Sequence, residues 1–205
     1  MTPADYARAR RLLLRRDAVL AAVIRQHGAC GLAAAQRSDH FSALVRAITG
    51  QQLSTKAAAT IYGRLAALMP DGVTPQALSS LSDDQLRAVG MSRQKGAYFR
   101  DLCEKVLSGA LPLDSLDAMS DDEVIAALTQ VKGIGRWSAE MFLMFRLHRP
   151  DVLPVGDLGI VNAVKSVYRL RKTPTPERIR AIGEAWRPYR SVASWYLWRS
   201  LDNEP

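Results

Sequence analysis

The chain has 205 residues, which is enough for one substantial core or two small lobes. Its 28 Lys and Arg against 20 Asp and Glu give a net charge of +8, which favours a polyanionic partner such as nucleic acid or an acidic membrane surface. Many basic proteins carry such a charge for solubility alone. Two widely separated cysteines suggest neither a disulfide framework nor a metal site, and no apolar run is long enough to span a bilayer.

Helical periodicity and capping residues predict an all-α chain. Ala, Leu and Arg dominate, and alternating β-branched runs are missing. We expect about ten helices. The first covers residues 3–26, where Asp5 and Asp17 favour an amphipathic helix over a signal peptide. The next are expected over residues 39–49, 54–69 and 92–107, with short helical turns near residues 74–75 and 82–83.

The second half of the chain begins with a capping box and is predicted to contain five further helices. Ser120 and Glu123 form the box and open an amphipathic helix that ends at a Gly-Ile-Gly turn. Helices are then expected over residues 136–147, 158–170, 176–186 and 190–201.

The turn Gly133-Ile134-Gly135 is a candidate phosphate site. Two glycines permit positive φ and the close approach of another backbone, and the next helix begins there with unpaired N–H groups and a positive dipole end. Lys132 and Arg136 flank the turn and would add charged contacts, which predicts DNA binding through phosphates without base recognition. A plain corner between two helices would explain the same glycines.

Asp157 is a candidate catalytic anion. It follows a loop broken by proline and glycine and precedes a predicted helix, so it is also an ordinary N-cap residue. A helix N-terminus favours the ionised carboxylate, and the sequence alone leaves both roles open.

Four motifs occur in order across roughly residues 39–201: ITGQQLSTKAA, VKGIGRWSAEMF, DVLPVGDLGI and WRPYRSVASWYLWR. Together they resemble the helix-hairpin-helix (HhH-GPD) DNA glycosylases, in particular the 3-methyladenine DNA glycosylase II branch. The resemblance implies one glycosylase unit over residues 1–205, with two all-α lobes flanking a cleft. The central lobe would cover approximately residues 39–130, and the hairpin-bearing lobe approximately residues 131–205, with helix 3–26 packed on it.

The resemblance makes Asp157 the catalytic residue, facing the cleft. Breaking the bond between base and sugar builds positive charge on the deoxyribose, which a fixed carboxylate stabilises. Whether Asp157 also activates the attacking water stays open. Alkylated purines are cationic and leave readily, so one carboxylate suffices once the damaged nucleotide has left the duplex stack.

The resemblance also implies residues that handle the displaced nucleotide. Gln52 or Leu53 would fill the gap in the duplex, unless Leu53 is a core residue and Gln52 a hydrogen bonder at a helix end. Trp137, Met141 and Trp198 would line the base pocket, where ring faces attract an electron-poor base, although tryptophans in apolar helices are more often core. Some relatives have tyrosines where Met141 and Leu158 stand, so ethenoadenine and hypoxanthine remain candidate substrates beside methylated purines.

The resemblance predicts no cofactor for catalysis. In relatives that cut the DNA backbone through a Schiff base, a lysine stands at the position of Trp137, so we expect no AP lyase activity. The iron–sulfur cluster of some relatives needs four cysteines and this chain has two. A structural Na⁺ or K⁺ is expected at the backbone carbonyls of Val131 and Ile134.

The resemblance therefore implies a monofunctional glycosylase that removes alkylated purines, of the 3-methyladenine and 7-methylguanine type, from double-stranded DNA and so starts base excision repair. We expect a monomer without a membrane partner, in the cytoplasm beside a bacterial nucleoid or in a eukaryotic nucleus. The alternatives are a non-catalytic DNA-binding or damage-sensing protein, and a glycosylase of oxidised or mismatched bases.

Overall fold

The computed structural model describes residues 1–34 and 39–202. Regular structure in this part of the chain is entirely helical, which confirms the all-α prediction. None of these helices is long and apolar enough to cross a membrane. The α-helices are α1 Pro3–Arg16, α2 Ala18–His27, α3 His40–Gly50, α4 Thr55–Ala67, α5 Pro75–Ser80, α6 Asp83–Ala88, α7 Arg93–Leu107, α8 Asp121–Thr129, α9 Arg136–Phe145, α10 Leu158–Val167, α11 Pro176–Gly183 and α12 Arg190–Arg199.

Side-chain caps set the starts of most helices. Asp39, Ser54 and Ser92 each accept a hydrogen bond from the backbone N–H three residues later. Ser120 and Glu123 form the complete capping box that opens α8. These short polar side chains satisfy N–H groups that lack an intrahelical partner, so the helix starts were predictable from local sequence.

The prediction of a single helix over residues 3–26 is wrong, because the first helix ends before Asp17 and a second helix begins after it. Asp17 ends α1 in an extended conformation and caps α2, with its Oδ1 accepting from the N–H groups of Val19 and Leu20 at 3.0 Å. Its Oδ2 accepts from the Tyr168 hydroxyl at 2.5 Å and from the Trp186 indole at 2.8 Å. Burial, together with the carboxylate of Asp17, raises the pKa of Tyr168. One carboxylate thus joins the α1–α2 corner to distant parts of the chain.

Replacing Asp17 by alanine should destabilise the fold by roughly 2–4 kcal/mol, because the buried Trp186 indole and the Tyr168 hydroxyl both lose their acceptor. Urea unfolding followed by circular dichroism measures this change. Asp5→Ala is the matched control, since Asp5 lies on α1 but bonds only to Thr2 at the exposed helix start. Equal destabilisation by the two substitutions would contradict this role for Asp17.

The chain forms two compact units. The terminal unit comprises Met1–Gln36 and Leu143–Pro205, and the central unit comprises Arg37–Phe142. In the terminal unit, α1 and α2 pack with α10, α11 and α12 around a core that includes Leu13, Ile160, Trp186 and Tyr196.

The central unit contains α3 to α8 and most of α9. Within it α7 packs against α3, α5 and α6, and α3 packs against α4. The boundary with the terminal unit falls inside α9, after Phe142, so the hairpin groups with the residues that precede it. The expected boundary near residue 130 had placed the hairpin with the C-terminal segment. The physical reason for the difference is that the hairpin is held by side chains of residues 51, 98 and 101 in the central unit.

Candidate active site

The hairpin Val131–Gly135 connects α8 to α9 and uses its two glycines for different reasons. Ile134 N–H donates to the Val131 carbonyl at 3.0 Å and closes the turn. Gly133 has φ +81°, and a Cβ atom there would lie 2.2–2.6 Å from carbon atoms of the Tyr98 ring. Gly135 does not have positive φ, contrary to the expectation for both glycines, and a Cβ on it would meet no atom within 4 Å. Gly133 is therefore required by the fold, whereas Gly135 leaves open space at the start of α9.

The two cations beside the hairpin are exposed, but each also has a carboxylate neighbour. The Lys132 ammonium lies 3.4 Å from Asp101, and Arg136 Nε donates to Glu140 at 3.1 Å. Asp101 is buried, which opposes its ionisation, but hydrogen bonds from Lys105 and from Lys132 outweigh this and lower the pKa of Asp101. The hairpin therefore presents cationic groups to solvent with part of their charge already compensated.

The loop Gly50–Leu53, called here the wedge loop, contains both candidate wedge residues. Gln52 is exposed and has φ +58°, a conformation that non-glycine residues seldom adopt and that often marks functional loops. Leu53 is 39% exposed, so it is not the core residue that the alternative interpretation required. Both side chains are accessible, and a wedge role for Gln52 or Leu53 stays a prediction.

Asp157 caps α10 with a carboxylate held by two hydrogen bonds. Its Oδ1 accepts from the backbone N–H of Ile160 and from the indole N–H of Trp198, both at 2.8 Å. The Trp198 ring stacks with Phe145, with centroids 6.0 Å apart and 22° between the planes. Asp157 is partly buried within the terminal unit. Its role as an N-cap is confirmed, and two donors on one oxygen also fix the orientation of the carboxylate, which a catalytic anion needs.

Gly159 makes this arrangement sterically feasible, and sequence reasoning missed it. A Cβ on Gly159 would lie 2.9 Å from Asp157 Oδ1 and 3.0–3.1 Å from the Trp198 indole, closer than either group accommodates without moving. Glycine is a poor helix former, yet it occupies the first turn of α10. That glycine, two residues after the candidate aspartate, was the available signal in the sequence.

The predicted aromatic residues differ in burial. Trp137, in the first turn of α9, is 52% exposed and is therefore not a core residue. Met141, four residues later and so on the same side of α9, is half-buried. These two residues, the hairpin and the wedge loop belong to the central unit, while Asp157 and Trp198 belong to the terminal unit.

Comparison with known proteins places the chain in a family. Residues 45–188 match the model of the HhH-GPD superfamily base excision DNA repair proteins. The chain belongs to this superfamily. It is 36% identical over 168 residues to DNA-3-methyladenine glycosylase 1 of Schizosaccharomyces pombe, a match that covers 80% of this chain and 74% of that protein.

Solved structures of HhH-GPD relatives share the fold closely. The crystal structure of a Bacillus halodurans DNA-3-methyladenine glycosidase is 39% identical with a TM-score of 0.84, covering 94% of this chain and 88% of that one. The 3-methyladenine DNA glycosylase of Schizosaccharomyces pombe, solved in complex with abasic DNA, is 32% identical with a TM-score of 0.80, covering 97% of this chain and 99% of that one. These comparisons confirm the HhH-GPD fold and the resemblance to 3-methyladenine DNA glycosylases that the four motifs indicated.

Three residues that organise this HhH-GPD site were not predicted from the sequence. Gln51 and Lys95 bond to backbone carbonyls around the wedge loop and the hairpin, and Asp101 accepts from the N–H of Lys132. Gln51 lies in the GQQLS motif, directly before the candidate wedge residues Gln52 and Leu53. Nothing in the sequence near Lys95 or Asp101 indicates contacts with segments that lie 31 to 46 positions away.

Proposed function

We propose that the protein hydrolyses the N-glycosidic bond of alkylated purines, of the 3-methyladenine and 7-methylguanine type, in double-stranded DNA. The product is an abasic site, the starting point of base excision repair. The observation that carries this proposal is the Asp157 carboxylate, held at the start of α10 by Ile160 and Trp198, in an HhH-GPD chain whose similar relatives are named DNA-3-methyladenine glycosylases.

The reaction requires from the protein mainly a negative charge that is held in a fixed position next to the sugar. As the bond to the base breaks, positive charge develops on the deoxyribose, and the Asp157 carboxylate stabilises it electrostatically. The alkylated purine is itself cationic, so its departure needs no second carboxylate as a general acid. The alkylated base leaves as a neutral molecule, and water adds to C1′ of the sugar and releases a proton to solvent, which gives the abasic site. The exposed ring of Trp137 offers a stacking face to an electron-poor base, a contact worth on the order of 0.5–2 kcal/mol.

DNA binding would use the hairpin and the wedge loop. The N–H groups at the start of α9 and the side chains of Lys132 and Arg136 bind a phosphate, and the open space at Gly135 lets the DNA backbone approach. Gln52 or Leu53 fills the gap left by the displaced nucleotide. Displacement costs a few kcal/mol, and less when the base is damaged, which favours lesions over normal nucleotides.

We further propose that the enzyme lacks AP lyase activity. Relatives that cleave the backbone do so through a Schiff base on a lysine amine, and by the resemblance that lysine stands at the position that Trp137 occupies here. Lys132 is close to it in sequence, but its ammonium lies beside Asp101 and its backbone N–H donates to the same carboxylate.

The hairpin also fits a structural Na⁺ or K⁺. A carbonyl oxygen has two lone pairs, and the Val131 carbonyl uses one for the Ile134 N–H, which leaves one for a cation. The carbonyl of Ile134 would be a second ligand. Such an ion would add positive charge at the phosphate site without taking part in bond breaking.

We also expect the protein to act as a monomer, because one chain contains both the hairpin and Asp157.

The direct test is incubation of the protein with methylated duplex DNA. We expect release of 3-methyladenine and 7-methylguanine, identified by mass spectrometry, and strand breaks only after alkali treatment. Breaks without alkali would overturn the absence of lyase activity. Binding to DNA without release of any base would favour the alternative, a non-catalytic damage-sensing protein. Release of oxidised bases only would favour a glycosylase of oxidised or mismatched bases.

Gly159→Ala should lower the rate of base release by at least about tenfold, because the added Cβ forces the Trp198 indole and Asp157 apart and costs a hydrogen bond to a charged group. Single-turnover release of 3-methyladenine measures the rate. Gly156→Ala is the matched control, since a Cβ there meets no atom within 4 Å. Equal rates for the two variants would show that the contact with Trp198 has no part in catalysis.

A further inference from the structure

A direct hydrogen bond joins the wedge loop to the hairpin within the central unit. The side-chain amide of Gln51 donates through Nε2 to the carbonyl oxygen of Gly133 at 2.7 Å. The two segments are 82 positions apart in the chain. Because Gly133 has positive φ and packs on the Tyr98 ring, its carbonyl belongs to a turn with little freedom to adjust. The position of Gln51 is therefore tied to the position of the hairpin.

Lys95 holds the other side of the wedge loop. Its Nζ donates to the carbonyl oxygens of Thr49 and Gln51, both at 2.8 Å. These carbonyls lie at the C-terminal end of α3, where the helix dipole is negative and the last carbonyls lack intrahelical donors. A single ammonium thus fixes the point at which α3 ends and the loop begins.

The same helix, α7, also holds the hairpin. Tyr98 lies one turn after Lys95 and packs against Gly133. Asp101 lies on the following turn and accepts from the backbone N–H of Lys132 at 2.9 Å. Three successive turns of one helix therefore contact both DNA-binding segments, and the Gln51 amide closes the link between the two segments directly.

We propose that Gln51 and Lys95 are positioning residues that couple the hairpin to the wedge loop, so that phosphate binding at the hairpin sets the placement of Gln52 and Leu53 in the duplex. This inference rests on the proposed function, because it concerns how a damaged nucleotide is displaced. It assigns to Gln51 a role in lesion recognition that involves no contact with the lesion.

The coupling has a signature that separates it from general DNA binding. Undamaged duplex engages the hairpin phosphates without requiring a filled gap, so its affinity does not depend on where the wedge loop stands. A duplex with an abasic site has a gap to fill, so its affinity does depend on the loop. Breaking the link should lower the preference for the abasic duplex while leaving affinity for undamaged DNA unchanged.

The experiment compares dissociation constants of wild type, Gln51→Ala and Gln51→Glu for two duplexes, one undamaged and one with a tetrahydrofuran abasic analogue. Gln51→Glu keeps the size of the side chain but replaces the donor with an acceptor that repels the Gly133 carbonyl. For both variants we expect affinity for the abasic duplex to fall about fivefold to tenfold, the factor for one lost hydrogen bond, and affinity for undamaged DNA to stay within about twofold.

Gln76→Ala, at an exposed position of α5, is the control for loss of a glutamine and should match wild type on both duplexes. Lys95→Met should lose the preference for the abasic duplex as the Gln51 variants do. Lys95→Arg, which keeps a cation with N–H donors, should retain at least half of the wild-type preference for the abasic duplex over the undamaged one. A purely structural role would lower stability and both affinities together.

Equal weakening on both duplexes, or no weakening on either, would overturn the coupling. These binding measurements do not depend on base release. A wild-type protein that fails to release methylated bases would count against the proposed function alone, while the comparison of the two duplexes would still decide whether the coupling exists.

Discussion

Asp157→Asn should slow the release of 3-methyladenine from duplex DNA by at least about 100-fold, the scale on which one electrostatic stabiliser of a transition state acts. The substitution removes the negative charge that faces the developing cation on the sugar and changes little else. Single-turnover kinetics on methylated duplex, with released base measured by mass spectrometry, gives the rate.

The fold should tolerate this substitution because the hydrogen bonds at residue 157 need an acceptor rather than a charge. The amide oxygen of asparagine can accept from the Ile160 N–H and the Trp198 indole as Oδ1 of Asp157 does. Asparagine is also among the best N-cap residues, so α10 keeps its start. We therefore expect the variant to unfold at the wild-type temperature and to bind abasic-analogue DNA.

Asp39→Asn is the matched control for a capping aspartate. Asp39 caps α3 through the Ser42 N–H at 2.8 Å, just as Asp157 caps α10, and it belongs to the central unit. Its substitution should leave base release unchanged. If Asp157→Asn released base at the wild-type rate, Asp157 would be a cap and nothing more.

Gly133→Ala should destabilise the protein and weaken its binding to every duplex. Alanine at φ +81° is strained by about 1–3 kcal/mol, and its Cβ would overlap the Tyr98 ring, so the hairpin must distort. A hairpin that no longer presents its N–H groups loses phosphate contacts, and a loss of about 1.4 kcal/mol in binding is already tenfold in affinity. Thermal unfolding and fluorescence anisotropy with undamaged duplex measure the two effects.

Gly135→Ala separates the two glycines. Gly135 has a backbone conformation that alanine can adopt, and the added Cβ would meet open space, so the free variant should unfold at the wild-type temperature. Only DNA affinity should fall, because the new methyl group occupies space at the start of α9.

Combining Gly133→Ala with Tyr98→Ala should recover part of the stability lost in Gly133→Ala, because it removes the overlap between the new Cβ and the ring. Equal stability of Gly133→Ala and Gly135→Ala would contradict this account of the hairpin.

Local signals were sufficient to predict most of the helices, because caps act within three or four residues. Ser120 with Glu123 and Asp39 before α3 are examples. The break at Asp17 was missed because amphipathic periodicity continues across it. Asp17 is a local cap for α2, but its bonds to Tyr168 and Trp186, about 150 or more positions away, are not contained in any local pattern.

The candidate site was predictable as a set of motifs but not as an arrangement. Asp157 and the hairpin stood out because each lies in one of the four ordered motifs that resemble a known family. Trp198 was expected as a ring face, whereas the structure shows its indole N–H bonded to Asp157 as well. Gly159 and Lys95 matter because of what lies beside them after folding, which a linear pattern does not encode.

The central claim is that the Asp157 carboxylate stabilises positive charge on the sugar of a displaced nucleotide. The most direct measurement compares affinity for a duplex carrying a cationic 1-azaribose nucleotide with affinity for one carrying neutral tetrahydrofuran, in wild type and in Asp157→Asn. We predict that wild type prefers the cationic duplex by at least about tenfold and that Asp157→Asn loses this preference. The same preference in both proteins would contradict the claim.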